Sequence, residues 1–243
     1  MGQGDGPRPL TRAATNQERK REQDLAAPSG HSRAGEFNRL APFYDALVRF
    51  LAFLIGGSER RLREQVVALV GLRPGDHVLD VACGTGTMAT MMARCVGPEG
   101  RVVGIDFSPR MLEIARRKAT MPQLIFRQAE AEDIPYPGKH FGTVTITYGL
   151  HEMSRAGRQK TLDEIHRVLK PGGRLVVVDI YEPRGWFRRA IFRLWMLLEG
   201  ETAKDLLASD LLAEIEAAGF EDIHQVFVVR DFIPVTLATR NKS

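Results

Sequence analysis

Apolar residues recur along most of the chain in two patterns, one typical of strands and one typical of helices, and the two patterns alternate. Short apolar runs predict five strands, and stretches with apolar residues at three- and four-residue steps predict helices between them. We predict strands over 77–82, 101–106, 123–128, 141–147 and 173–180, and helices over 86–96, 109–119, 158–169 and 203–219. Such alternation indicates an α/β fold with a doubly wound, mostly parallel sheet and helices on both faces.

The two ends of the chain depart from this alternation. Residues 1–34 are rich in Gly, Pro, Arg, Gln and Ser and contain few large apolar residues, so we expect a disordered tail. From Phe37 onward, apolar residues recur at helical steps and predict an N-terminal helical cap over 35–72. Near the C-terminus, two strand-like runs at 223–230 and 232–238 leave no room for a helix between them. We therefore expect an antiparallel edge that brings the sheet to seven strands.

Composition and charge narrow the classes of function. The chain has 243 residues, of which 44% are hydrophobic and 26% are charged, as in an ordinary globular protein. Its net charge of +4 is small and spread along the chain, so we expect no nucleic-acid partner. The cysteines, Cys83 and Cys95, have the spacing of neither a metal site nor a disulfide framework. We therefore expect no metal site. Because the first 35 residues also lack a secretory apolar stretch, we expect a cytoplasmic protein.

A glycine-rich turn follows the first of the five strands. Gly84 and Gly86 allow the backbone to bend sharply and to approach a ligand closely. The spacing Gly84-x-Gly86-x-x-Ala89 also fits a dinucleotide fingerprint, with the acidic Asp106 about 20 residues beyond Gly86. By itself the turn leaves open a nicotinamide cofactor, another nucleotide-like ligand, or a plain connection between strand and helix.

Polar residues follow the next strands at the edge where ligands of open parallel sheets bind. Asp106 could accept hydrogen bonds from ribose hydroxyls, or it could cap the next helix, although Ser108 is the better placed N-cap. The acidic loop around Glu130 could pair with an adenine amino group or lie in solvent. These residues favour a nucleotide-like ligand and leave its identity open.

Two further stretches bear on the substrate. His151 and Glu152 follow the fourth strand; a His is the side chain most easily tuned to move protons near neutral pH, although a His beside a Glu is also a common polar cap. Beyond the fifth strand, residues 186–198 mix aromatic and aliphatic side chains with three arginines. Such a segment suits a membrane surface, the rim of an apolar pocket, or a helix that packs over the domain. We predict a substrate-side cap insertion over 183–205.

Together these segments resemble the class I S-adenosylmethionine-dependent methyltransferases, and within them the ubiquinone/menaquinone C-methyltransferase-like branch. Order and spacing agree throughout 37–220, and the acid Asp80 ahead of the glycine loop separates this family from nicotinamide enzymes. The matching segments are 43–45, 78–86, 103–112, 129–135 and 167–175, the last of which contains the Pro-Gly-Gly turn at 171–173. The resemblance implies a Rossmann-like methyltransferase domain over 35–243, with S-adenosyl-L-methionine as cofactor.

The resemblance also implies roles for individual residues. The methionine part of the cofactor would lie against the glycine loop, the ribose against the acid after the second strand, and the adenine beside the acidic loop. Tyr44 would close over the cofactor from the N-terminal cap. The residues expected to bind it are Tyr44, Asp80, Ala82, Cys83, Gly84, Gly86, Asp106, Phe107, Met111, Glu130, Ala131 and Thr147. Ala82 and Glu130 stand where the family usually has Gly and Asp.

The implied reaction is transfer of a methyl group to a hydrophobic small molecule: a quinone, a phenol or a lipid head group. His151 is the candidate base for an acceptor that must lose a proton, and Glu152 would orient it. The segment Gly-Leu-His-Glu-Met at 149–153 replaces the Arg-Asn form common in the quinone enzymes, so the acceptor stays open. A noncatalytic S-adenosylmethionine-binding scaffold or RNA-associated module is the alternative. Residues 186–198 could add a peripheral membrane contact.

Overall fold

A seven-stranded sheet organises the residues that the structure describes. In this computed structural model these are residues 59–182, 186, 189, 192, 193, 196, 201–229 and 233–242. The strands are β1 His77–Val81, β2 Arg101–Asp106, β3 Leu124–Gln128, β4 Phe141–Thr147, β5 Leu169–Val178, β6 Phe220–Val228 and β7 Ile233–Arg240. The predicted tail, most of the N-terminal cap, Tyr44 and most of the insertion over 183–205 lie outside the described residues.

Helices cover both faces of this sheet. They are α1 Glu59–Val70, α2 Thr87–Val96, α3 Pro109–Lys118, α4 Arg155–Val168, α5 Glu201–Ala208 and α6 Leu211–Ala217, with a short 3₁₀ turn at Leu150–Glu152. Side chains of a strand alternate between the two faces, so Val78 packs with α1, α2 and α3, whereas Leu79 packs with α4, α5 and α6. Within the described ranges, no helix is long and apolar enough to cross a membrane.

The strand order is β3-β2-β1-β4-β5-β7-β6. Strands β1 to β5 run parallel, and β7 runs antiparallel to both β5 and β6. The predicted α/β fold with an antiparallel C-terminal edge is therefore confirmed. Because the order reverses between β1 and β4, their carboxyl ends open a crevice of the kind that holds ligands in doubly wound sheets.

One predicted strand boundary and one predicted helix are wrong. Strand β5 starts at Leu169 rather than 173, because the Pro-Gly-Gly segment forms a bulge within the strand: Phe141 pairs with Leu169, and Thr143 pairs with Arg174. The single helix predicted over 203–219 is two helices. Asp210 caps the second one, its carboxylate accepting a hydrogen bond from the Ala213 amide at 3.1 Å, and this extended residue ends the first.

Candidate active site

The crevice between β1 and β4 contains a cavity of about 670 Å³. That volume lies within the roughly 300–1,000 Å³ of small-molecule and cofactor sites. Most of the predicted site residues line it: Asp80, Ala82, Cys83, Gly84, Asp106, Phe107, Met111, Glu130, Ala131, Thr147 and Glu152. Gly86 and His151 are not in its lining, and Tyr44 lies outside the described residues.

The glycine loop adopts backbone conformations that larger residues resist. Gly84 and Gly86 have φ values of +52° and +73°, and Gly86 forms the N-cap of α2. A Cβ atom at Gly86 would lie 2.4 Å from Cζ of Phe126, so the position also excludes a side chain sterically. Ala82 has a φ of +53° although it is not a glycine. Its methyl group is accommodated because Gly149 faces it, where an added Cβ would approach to 2.8 Å.

Asp80 is a buried carboxylate at the end of β1. Its Oδ1 accepts a hydrogen bond of 2.7 Å from the Thr145 hydroxyl, whereas its Oδ2 has no partner among the described residues. Burial raises the pKa of Asp80 to about 7, although the Thr145 hydrogen bond and the charge of Arg63 act in the opposite direction. The backbone of Ala89 lowers this pKa as well. It does not provide a hydrogen-bond partner for Oδ2. Asp80 is among the residues that line the cavity, and a buried carboxylate oxygen without a partner among the described residues suits a cationic ligand group.

Asp106, at the end of β2, holds two loops together. Its Oδ2 accepts a hydrogen bond of 2.8 Å from the Gly84 amide, and its Oδ1 accepts one of 2.9 Å from the Ser108 amide. Burial raises the pKa of Asp106 to about 6 despite these two bonds. The cap of α3 is Ser108, as predicted, because its hydroxyl accepts a hydrogen bond from the Met111 amide. Each carboxylate oxygen of Asp106 keeps a second lone pair for a ligand in the cavity.

The cavity wall beside Asp106 combines apolar and acidic groups. Phe107 and Met111 contribute apolar surface, and Glu130 and Ala131 form the loop after β3. Cys83 also lines this space. Burial, together with the carboxylates of Asp106 and Asp80, raises the pKa of Cys83, so the thiol is protonated near neutral pH. A buried, protonated thiol is a poor nucleophile, so Cys83 contributes a small side chain to the lining.

His151 is clamped between two carboxylates. Its Nδ1 lies 2.7 Å from Oδ1 of Asp179, and its Nε2 lies 3.3 Å from Oε1 of Glu152. Burial lowers the pKa of His151, but the hydrogen bonds and charges of Asp179 and Glu152 outweigh burial and raise it to about 10. The imidazole is therefore protonated near neutral pH, and both nitrogens donate to carboxylates. This geometry does not favour the predicted role of His151 as a general base.

Comparison with known proteins identifies the fold's family. Residues 30–212 match the model of the ubiE/COQ5 methyltransferase family. The chain belongs to this family. It is thus an S-adenosylmethionine-dependent methyltransferase of the quinone C-methyltransferase-like branch, as the sequence resemblance implied. These findings favour the enzyme over the noncatalytic module.

Individual relatives of this methyltransferase support the same assignment. An uncharacterized methyltransferase of Synechocystis sp. is 35% identical over 203 residues, which are 83% of this chain and 93% of that protein. A 2-phytyl-1,4-naphtoquinone methyltransferase of Nostoc sp. is 36% identical over 165 residues, covering 66% of this chain and 69% of the relative. The crystal structure of an S-adenosylmethionine-dependent methyltransferase from Aquifex aeolicus has the same fold. Its TM-score is 0.62 at 21% identity, covering 86% and 99% of the two chains.

The cavity of this methyltransferase fits S-adenosylmethionine in size and charge. The cofactor carries an ammonium group, and the orphaned Oδ2 of Asp80 is a buried acceptor without a partner among the described residues. The open space at Gly84, where a Cβ would meet nothing within 4 Å, leaves room for close approach to the loop. The residues present are therefore compatible with the cofactor that the family implies.

Sequence reasoning missed several residues of the cavity. Arg63 enters from α1, Tyr148 and Gly149 follow β4, and Lys160 enters from the first turns of α4. Arg63 is one of several arginines on an exposed helix, and Lys160 follows an ordinary capped turn, so neither stands in a recognisable motif. Tyr148 has a φ of +55°, a strained conformation that only the folded backbone reveals.

Proposed function

We propose that this enzyme methylates a hydrophobic small molecule of the quinone or phenol class. One observation supports the proposal most strongly: a single cavity joins the acidic glycine-loop side to a second side with a mixed apolar and polar lining. That second side includes Tyr148, Glu152 and Met153. The Nostoc relative, which is named a 2-phytyl-1,4-naphtoquinone methyltransferase, supports an aromatic acceptor.

We propose the following cofactor contacts for the residues of the first side. Oδ2 of Asp80 would accept from the ammonium group of the methionine part, and the loop from Ala82 to Gly86 would allow its close approach. Asp106 would accept hydrogen bonds from the ribose hydroxyls with its remaining lone pairs. The adenine would lie against Phe107 and Met111, with Glu130 and the Ala131 amide at its edge, and Cys83 and Thr147 would complete the lining. Tyr44 remains a prediction outside the described residues.

The protein's own contribution is chiefly alignment of the two reactants. When bound, S-adenosylmethionine supplies an electrophilic methyl group on a good leaving group. The chain must hold the acceptor in line with that methyl group and exclude water, and such positioning can contribute about 7–11 kcal/mol. The buried residues Asp80 and Asp106 are fixed by Thr145, Gly84 and Ser108, so they can hold the donor rigidly. The acceptor would then approach from the side of Glu152 and Met153.

Thermal-shift measurements test the cofactor assignment first. S-adenosylhomocysteine should raise the melting temperature of the wild type, because a ligand of the native state stabilises it, and NAD should not. The same shift should shrink in Asp106→Asn and persist in Glu99→Gln, which changes an exposed carboxylate outside the cavity lining. Stabilisation by NAD alone would contradict the proposal.

Methyl transfer tests the acceptor class. With radiolabelled S-adenosylmethionine, we expect label to enter naphthoquinol or phenol acceptors and to be absent from RNA and protein fractions. Label in RNA or protein alone would contradict the proposal and point to the RNA-associated alternative.

A peripheral membrane contact through residues 186–198 remains a further proposal. Trp186 is 84% exposed, which suits insertion at an interface, whereas Arg189 and Arg193 form ion pairs with Glu182 at 3.0 and 3.2 Å. Cosedimentation with anionic phospholipid vesicles should decrease in Trp186→Ala relative to the wild type. Equal sedimentation of the two proteins would contradict a contact through this segment.

A further inference from the structure

The 3₁₀ turn Leu150–Glu152 contains two ionisable side chains, and of these two only Glu152 lines the cavity. Glu152 lines the cavity and its side chain is 39% exposed. The His151 side chain is 10% exposed, and it points between Glu152 and Asp179 instead. A molecule in the cavity can therefore reach the carboxylate, whereas both nitrogens of the imidazole are engaged by carboxylates.

Asp179 fixes the conformation of this turn from the end of β5. Its side chain is 2% exposed, and its Oδ2 accepts hydrogen bonds from the amides of Leu150 at 2.8 Å and His151 at 3.4 Å. Its Oδ1 accepts hydrogen bonds from the ring of His151 at 2.7 Å and from the Ile180 amide at 2.7 Å. A buried carboxylate with four such donors holds both the backbone and the ring of His151 in one orientation.

The line of groups thus runs from a buried acid, through an imidazolium, to an acid in the cavity. The raised pKa of His151 keeps the ring charged near neutral pH, as its two carboxylate neighbours require. The cation holds one oxygen of Glu152 at 3.3 Å, so the carboxylate is oriented without being buried. A carboxylate in that state can accept a proton from a neighbouring hydroxyl group.

The charged groups of the helix that packs against this turn have partners of their own. Helix α5 packs against the 3₁₀ turn, and Lys204 pairs with Glu201 at 2.7 Å. Asp205 pairs with Arg158 of α4 at 2.9 Å, and Arg158 also donates to the Met153 carbonyl. Glu132, Asp133 and Lys160 are further charged residues in the lining of the cavity.

We propose that Glu152 contacts the methyl acceptor and takes the proton of its hydroxyl group, while His151 and Asp179 act as positioning residues. This inference rests on the proposed function and assigns the acceptor to the hydroxyl-bearing class, a phenol or a quinol. It reverses the order predicted from the sequence, in which His151 was the base and Glu152 its orienting partner.

The acceptor's O–H proton passes to the Glu152 carboxylate and then to solvent. The electron pair of that bond supplies the new bond to the methyl carbon, directly from oxygen or through the ring from carbon. The sulfur–methyl bond breaks at the same time, and its electron pair stays on sulfur. After attack at carbon, the ring proton is lost to solvent and oxygen regains a proton.

Ligand affinity tests the Glu152 contact independently of turnover. In the presence of S-adenosylhomocysteine, and without oxygen, the wild type should bind 1,4-dihydroxynaphthalene more tightly than 1,4-dimethoxynaphthalene, which has no hydroxyl proton. Glu152→Gln should reduce this preference about tenfold, since a bond to a charged acceptor becomes a neutral one. Glu99→Gln serves as the matched control and should retain the preference. An undiminished preference in Glu152→Gln, or none in the wild type, would overturn the proposal.

Nuclear magnetic resonance of the ligand-free enzyme tests the role of His151. Its ring signals, assigned by their loss in His151→Gln, should show the protonated form throughout pH 6–8. A neutral ring at pH 7 would restore His151 as the candidate base and overturn the proposal.

Turnover separates failure of this inference from failure of the proposed function. Glu152→Gln should lower kcat for a hydroxylated acceptor about 100-fold or more, as for loss of a general base, with an unchanged thermal shift by S-adenosylhomocysteine. Full turnover in Glu152→Gln would overturn the role of Glu152 alone. Absence of methyl transfer by the wild type to every quinol and phenol would instead contradict the proposed function, and the NMR and affinity results would still decide the geometry of the turn.

Discussion

Replacement of Asp80 by Asn should stabilise the ligand-free enzyme and weaken its binding of S-adenosylhomocysteine. The carboxylate of Asp80 is buried, and its Oδ2 lacks a hydrogen-bond partner among the described residues. The fold therefore bears the cost of a desolvated charge until a cationic ligand group arrives. Asn keeps the size of the side chain and can still accept the hydrogen bond from Thr145.

The pKa of Asp80 sets the size and the pH dependence of this effect. Folding raises this pKa from 3.8 to about 7, so the destabilisation is absent below pH 3.8, grows as the pH rises, and is complete above pH 7. A difference of about three pKa units corresponds to about 4 kcal/mol at pH 8. The buried Asn amide would lack a hydrogen-bond acceptor, which lowers the stabilisation from removing the charge by about 1–3 kcal/mol. We expect a net stabilisation of about 1–3 kcal/mol at pH 8, and most of it should vanish at pH 5.

Urea unfolding at pH 8 and pH 5, combined with calorimetric titration of S-adenosylhomocysteine, measures both effects. Loss of the charged hydrogen bond should weaken binding about 10- to 150-fold at pH 8. Glu99→Gln should change neither the unfolding free energy nor the affinity. If Asp80→Asn were no more stable than the wild type at pH 8 and bound the ligand equally well, the view of Asp80 as an uncompensated ligand-binding carboxylate would be refuted.

Three further predictions concern the loop, the core and the pH response. Gly86→Ala should lower the unfolding free energy by more than about 2 kcal/mol, because its Cβ would clash with a ring, whereas Gly84→Ala, which meets only open space, should cost about 1–2 kcal/mol for its positive φ; equal losses in urea unfolding would contradict the steric argument. Arg158→Ala should cost about 3–5 kcal/mol, because Arg158 is fully buried and Glu214 loses its bidentate partner; a loss below about 1 kcal/mol by the same measurement would refute this. The pKa of His140 is lowered below 6.5, chiefly by burial, so the free energy of unfolding should fall as the pH drops through 6.5. Between pH 7.5 and 5.5, His140→Gln should therefore lose less unfolding free energy than the wild type. Equal losses in the two proteins would contradict this prediction.

Much of the fold could be predicted from local patterns. The apolar runs of β1, β2 and β4 and the helix cap at Ser108 depend on neighbouring residues, so their positions agree with the structure to within a few residues. The bulge at the start of β5 could not be predicted in this way. It arises from pairing with a strand almost 30 residues away, and a local reading finds only a Pro-Gly-Gly turn.

The candidate site likewise combines features set by neighbouring residues with features set by distant contacts. The types of residue in the site could be predicted from the sequence. In open parallel sheets, a glycine loop after one strand and an acid after the next lie at the edge where ligands bind. The partners of those residues could not be predicted. Asp179 reaches His151 across two adjacent strand ends, and Arg63 enters from a helix with no motif.

The sequence by itself determined the α/β architecture, the family and most of the predicted residues that line the cavity, since these depend on short-range periodicity and on motifs with fixed spacing. Only the tertiary structure decided that Oδ2 of Asp80 has no partner among the described residues and that backbone amides donate to Asp106. It also decided that Glu152, and not His151, lines the cavity. Burial and hydrogen bonding are properties of packed surroundings, and they set the charge state on which the chemistry of each residue depends.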